Sequence, residues 1–158
     1  MKKIKISLII FFAILLLNGC GFKIMKKDGL KGINFVEVNT AGESRINYYI
    51  KNEILLYSNK ESNRQVKIDL YTTKKKTIKE KNEKNEIIKY KLDVITTVNY
   101  NIIGSLEKRS FVVKKNGDYK IGERHIRTIS NEKKLLQVIQ KGLSEDIIEE
   151  LSIKLNDL

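Results

Sequence analysis

Proline and tryptophan are absent from this 158-residue chain, and cysteine and histidine occur once each. A lone cysteine excludes an internal disulfide, so packing alone must hold the fold. The single histidine, His125, has no nucleophile beside it in the sequence to activate. No serine stands in a strained glycine elbow, and no phosphate-cradling loop or metal-ligand cluster is present. Acids are few, 19 against 31 Lys and Arg. Most are interspersed with lysine, as on solvated faces, and Glu145-Asp146 and Glu149-Glu150 read as the wet side of a helix. The chain is therefore expected to be no enzyme, with no catalytic residue, no metal and no free cofactor. The formal charge of +12 favours an anionic partner. The same bias toward Lys, Asn and Ile that leaves out proline and tryptophan also raises that charge, so charge alone names no ligand.

Long apolar runs are also scarce. The one present, Leu8–Leu17 (LIIFFAILLL), follows Lys2, Lys3 and Lys5 and ends just before Cys20. Ten residues are too few for a stable bilayer span. A basic head, a short apolar core and a small residue before a cut site make a secretory signal. Leu17, Gly19 and Cys20 resemble the lipobox of bacterial lipoproteins. That resemblance implies diacylglycerol on the Cys20 thiol, cleavage before it and an N-acyl chain on the new terminus. Each buried methylene contributes roughly 0.8 kcal/mol, so two or three chains anchor firmly. The competing reading is an uncleaved signal anchor with an incidental cysteine. The leader carries three lysines and no acid, so its loss leaves 139 residues and takes the charge from +12 to +9. An exported protein rarely meets nucleic acid; anionic lipid or a phosphorylated glycolipid fits the address. The expected organisation is a signal peptide over 1–19, a lipidated basic tether over 20–31 and one domain over 32–158, long enough for a core but too short for two.

Within that domain, Ile33–Val38 reads as a strand. Thr40-Ala41-Gly42-Glu43 matches a capping box, predicting a helix from about Ala41 to Tyr57 with Ile46, Tyr49, Ile50 and Ile54 at helical spacing. Val66, Ile68 and Leu70 alternate with polar residues and run on to Ile78 as a half-buried strand. The polar stretch Lys81–Glu86 makes a hairpin tip. The strongest period-2 signal follows, with Ile88, Tyr90, Leu92, Val94, Thr96, Val98, Tyr100 and Ile102 all on one face. Leu106–Lys114 is the returning strand. Asn116-Gly117 then reads as a turn, with a fifth strand at Tyr119–Ile121 as the alternative. Ile129, Leu136, Ile139, Leu143, Ile147, Leu151 and Leu155 form the stripe of a closing helix, in which Gly142 could permit a bend. The order β-α-β-β-β-α predicts an α+β, two-layer α/β sandwich: a roughly four-stranded mixed sheet packed by two helices.

Gly19-Cys20-Gly21-Phe22 at the mature start, followed by this order of elements, resembles the LptE family, the lipopolysaccharide-assembly lipoproteins of Gram-negative outer membranes. The stretch NTAGESRINYYIKNEI looks like the family's first helix, and LSEDIIEELSIKL like its closing helix. The resemblance implies an outer-membrane lipoprotein that plugs and helps assemble an LptD-like β-barrel and helps deliver lipopolysaccharide, which it binds directly, to the outer leaflet. Gly21 fits sorting to the outer membrane. The residues themselves add a binding hypothesis. Lys74, Lys75, Lys76, Lys79, Lys81 and Lys84 concentrate on one hairpin, where ammonium groups suit lipid A phosphates. The plainer alternative is a solvated hairpin whose lysines merely resist edge-to-edge aggregation. The competing function is a periplasm-facing lipoprotein that binds another ligand or the cell wall, without a barrel.

Overall fold

A computed structural model describes Leu30 and residues 32–156. Cys20, the signal and the tether preceding Leu30 lie outside the described residues. The described chain forms β1 (Asn34–Gly42), α1 (Ser44–Leu55), β2 (Gln65–Lys81), β3 (Ile87–Ile102), β4 (Arg109–Lys120) and α2 (His125–Asn156). The four strands make one mixed sheet in the order β1-β2-β3-β4. β1 runs parallel to β2, and the other two pairs are antiparallel. The architecture is the expected four-stranded sheet with two helices. Among the described residues, no helix is long and apolar enough to cross a membrane.

Alternation explains the core. Val66, Ile68 and Leu70 of β2 and Leu92, Val94 and Val98 of β3 are buried against Ile46, Ile50 and Ile54 of α1 and Leu143, Ile147, Leu151 and Leu155 of α2. The opposite strand positions, including Tyr71, Ile95 and Val112, face outward on an open sheet surface. β1 keeps both Phe35 and Val38 inward although they are three residues apart. A register shift between Phe35 and Glu37 absorbs the extra residue, as a bulge does, and leaves Val36 exposed.

Two local expectations are corrected. Thr40 does not cap α1. Thr40 and Ala41 extend β1 opposite Leu70 and Tyr71, and α1 begins at Ser44 after an extended Glu43 that makes no side-chain cap. The chain turns at Gly42 (φ +88°), where a Cβ would stand 2.0 Å from the Thr72 carbonyl oxygen, so only glycine fits. A buried polar set replaces the cap. The Glu43 N–H donates to Thr72 O (3.0 Å), and Asn47 Nδ2 donates to Ala41 O (2.7 Å). The Asn47 oxygen thereby faces the Thr72 hydroxyl, which donates to it at 2.6 Å. With that proton committed, Thr96 must donate to Thr72 across 2.9 Å.

The second correction concerns Asn116-Gly117. It makes no turn; it lies within β4, opposite Asp93 and Leu92, and Tyr119 and Lys120 belong to the same strand. Gly117 is needed there for space, because a Cβ would come 2.5 Å from Leu135 Cδ1 of α2. The β3–β4 ladder, running from Tyr100 to Lys89, overrides the dipeptide's turn preference. Gly142 lies inside the continuous α2. The Lys115 stem crosses it and carries its ammonium to Asp146 at 2.7 Å.

Candidate functional site

The lysines of the β2–β3 hairpin occupy the part of the sheet that runs past the other elements. β1 stops at Gly42 opposite Thr72, so β2 from Thr73 to Lys81 has a neighbour on one side only. Thr72 O points to the β1 side. The same parity aims the main-chain groups of Lys74 and Lys76 at the open edge. The tip is closed by Asn82. Its N–H donates to Glu86 O (2.9 Å), and its Oδ1 accepts from Lys84 N (3.0 Å) and Glu86 N (2.9 Å). Asn85 takes the left-handed conformation (φ 63°) that asparagine tolerates.

The six lysines do not share a face. Lys74 and Lys76 point to the helix side, where Lys74 pairs with Glu43 (3.4 Å) and Lys76 with Glu132 (2.9 Å). Lys79 lies on the open face against Asp118 (3.7 Å), and Lys81 donates to Asn85 at the tip. Lys75, on the open face, and Lys84, at the tip, have no carboxylate at ion-pair distance among the described residues. The register brings further cations beside Lys75 and Lys79: Lys89 and Lys91 from β3, and Lys114 and Lys120 from β4. Lys89 is tied to Glu80 (2.6 Å) and Lys91 to Asp93 (2.7 Å). Reading the lysine run alone misses these four. The signal that finds them is parity, odd positions in β3 and even positions in β4, once the strands are in register.

On the helix side, Lys76 has a structural role. Its ammonium lies 4.4 Å from the Tyr90 ring centroid and 5.2 Å from that of Tyr119, whose hydroxyl donates to the same Glu132 oxygen at 2.6 Å. Partial burial works against the Lys76 charge. Bonds to Tyr119 and Glu132 and the Glu132 charge outweigh it and raise its pKa. Burial likewise opposes ionisation of Glu132, but the Tyr119 and Lys76 hydrogen bonds hold its carboxyl below the usual range. Burial first, and then the bond to Glu132, push the Tyr119 phenol up. This cluster clamps the start of α2 onto β2, β3 and β4. His125 opens α2 in an exposed position.

Outside the clamp the apolar side chains continue. Ile78 lies opposite Tyr90, and Tyr90 opposite Tyr119. One row further out, the Ile121 N–H donates to Ile88 O at 3.0 Å, which sets Ile88 and Ile121 side by side on the helix-facing surface. α2 does not reach over this row, and Ile78, Ile88 and Ile121 remain 52 %, 37 % and 37 % exposed.

No family model and no curated protein matches the chain. Solved structures do. The rare lipoprotein B of Shewanella oneidensis superposes with a TM-score of 0.50 at 9 % identity, over 75 % of this chain and 91 % of that one. A protein of Caulobacter crescentus CB15 described as a lipoprotein gives 0.53 at 13 % identity, over 82 % and 95 %. At such identities the likeness establishes a shared fold.

Proposed function

We propose that this chain is a lipid-anchored outer-membrane protein that plugs and helps assemble an LptD-like β-barrel and binds lipopolysaccharide through cations of its hairpin. The observation that carries the reading is the pairing of a lipobox ending at Cys20 with a domain whose fold is shared, over most of both chains, with the rare lipoprotein B of Shewanella oneidensis. The open sheet face supports it. Lys67, Asp69, Thr73, Thr97 and Asn99 give a surface that needs a polar neighbour, as the lumen of a barrel supplies. Cys20 carries the acyl chains. The phosphate-binding set is the open-face and tip cations, with Lys75 and Lys84 the most available, whereas Lys74 and Lys76 are engaged by Glu43 and Glu132.

Purification from membranes in mild detergent tests the reading. A stoichiometric complex with a large outer-membrane barrel is expected; a monodisperse lone lipoprotein overturns the barrel partnership. Intact mass should show cleavage before Cys20 and added acyl chains. A bare thiol on a chain that keeps its leader removes the anchor and the address together.

A further inference from the structure

The uncovered isoleucines have a consequence that rests on the lipopolysaccharide-binding reading and extends it. Ile78, Ile88 and Ile121 continue the row pattern of Tyr90 and Tyr119 past the start of α2. Ile129, on the same helix side as Glu132 three residues later, borders them and is 48 % exposed, and Ile126 is 70 % exposed. Scattered single apolar residues on a surface need no explanation; a run of five at one end of a sheet, all isoleucine, is a contiguous feature. Cations rim it: Lys81 and Lys84 at the hairpin tip, and the exposed Arg124 and Arg127 at the β4–α2 connection. Arg127 lies against Gly122, which folds that connection close to the shelf.

We infer that this shelf holds acyl chains of a single anionic lipid whose phosphates meet the rim. Apolar side chains flanked by unlike polar groups suit an amphiphile, and the excess of cations at the rim selects a negative head. The occupant is a lipid molecule brought to the shelf rather than the bilayer that holds the anchor. The chain preceding the domain joins at Leu30, whose carbonyl accepts from Ile33 N. Asn34 there pairs with Gln65, at the start of β2, and the hairpin lies at the other end of that 17-residue strand, about 50 Å away.

The test uses the mature lipoprotein in mild detergent with two probes, lipid A and its fully deacylated bisphosphorylated disaccharide. Lipid A should bind at least tenfold more tightly than the deacylated probe. The double substitution Ile88→Ser and Ile121→Ser should cost about tenfold in lipid A affinity, in line with apolar area lost from contact, and leave the deacylated probe unchanged. Ile126→Ser, at a site too exposed to affect folding, should lower lipid A affinity by a smaller factor. Lys84→Gln should weaken both probes. Equal affinity for the two probes overturns the shelf while leaving phosphate binding intact. Binding of a neutral diacyl lipid with no preference for lipid A keeps an apolar site but overturns the anionic ligand and the reading beneath it. Wild-type affinity in all isoleucine variants, or a dimer that those variants convert to monomer, overturns the inference outright.

Discussion

The two halves of the β2–β3 ribbon follow one alternation rule and end in opposite circumstances. In the half that starts at Gln65, the even positions of β2 are Val66, Ile68 and Leu70, flanked by β1 and sealed by the helices. In the half that ends at the tip, the same positions are Lys74, Lys76 and Ile78, with no neighbour on one edge and little above them. Parity assigns a face, and cover decides what that face does. The cover is set by two boundaries, Gly42 where β1 stops and His125 where α2 begins. The first half is where stability resides; the second is where chemistry can meet solvent.

The sharpest way to break this comparison is to make the same deletion in both halves. Ile68→Ala empties a fully buried site and should cost about 2–5 kcal/mol, whereas Ile78→Ala, half exposed, should cost less than about 1 kcal/mol. Denaturant unfolding of the two variants decides, and similar losses would mean that the hairpin is packed as tightly as the body. At the boundary itself, Asn47→Leu orphans the Ala41 carbonyl and disturbs the Thr72–Thr96 pair, and should cost about 2–3 kcal/mol by the same assay.

The clamp at the second boundary is next. Glu132→Gln should cost about 1–2 kcal/mol, because the carboxylate is part-exposed and screened. Its pH signature has a definite sign. Glu132 is held below its ordinary range when folded, so the unfolded chain binds the proton more readily. The contribution is present above the ordinary carboxylate range and is lost as pH falls through it. Thermal unfolding from pH 7 to pH 3 should therefore show a shallower acid loss for Glu132→Gln than for the wild type. The smallest expected effect is that of Lys75→Gln with Lys84→Gln. Stability should stay within about 0.5 kcal/mol, while lipopolysaccharide affinity falls several-fold at low salt and converges on the wild-type value at high salt. Unchanged low-salt affinity leaves these lysines as solvated edge residues.

Much of the fold is legible in the sequence because long periodic segments state their own geometry. The even-numbered face of β3 and the stripe of α2 both lie where their periods put them, with Ile129 left half exposed because the sheet it faces has already lost its cover. What misleads is local punctuation. Thr40 and Glu43 spell a capping box, and Asn116-Gly117 spells a turn. In each case a strand ladder already in register outweighs a preference worth about 1 kcal/mol. The candidate site is less legible. Six lysines close in sequence separate onto two faces and a tip, because alternation splits Lys74 and Lys76 from Lys75 and a bulge near Glu80 moves Lys79. Lys89, Lys91, Lys114 and Lys120 join the open face only through pairing between strands. The Ile88–Ile121 shelf likewise depends on where a helix begins, which no single residue announces.

The early stop of β1 leaves the Thr73–Lys81 edge as a template onto which a second chain could zip. Charged side chains and the irregular register between Ile78 and Lys81 spoil that template. Molecules crowded side by side are thereby kept from stitching into filaments, while the ribbon stays long enough to project beyond the rest of the body.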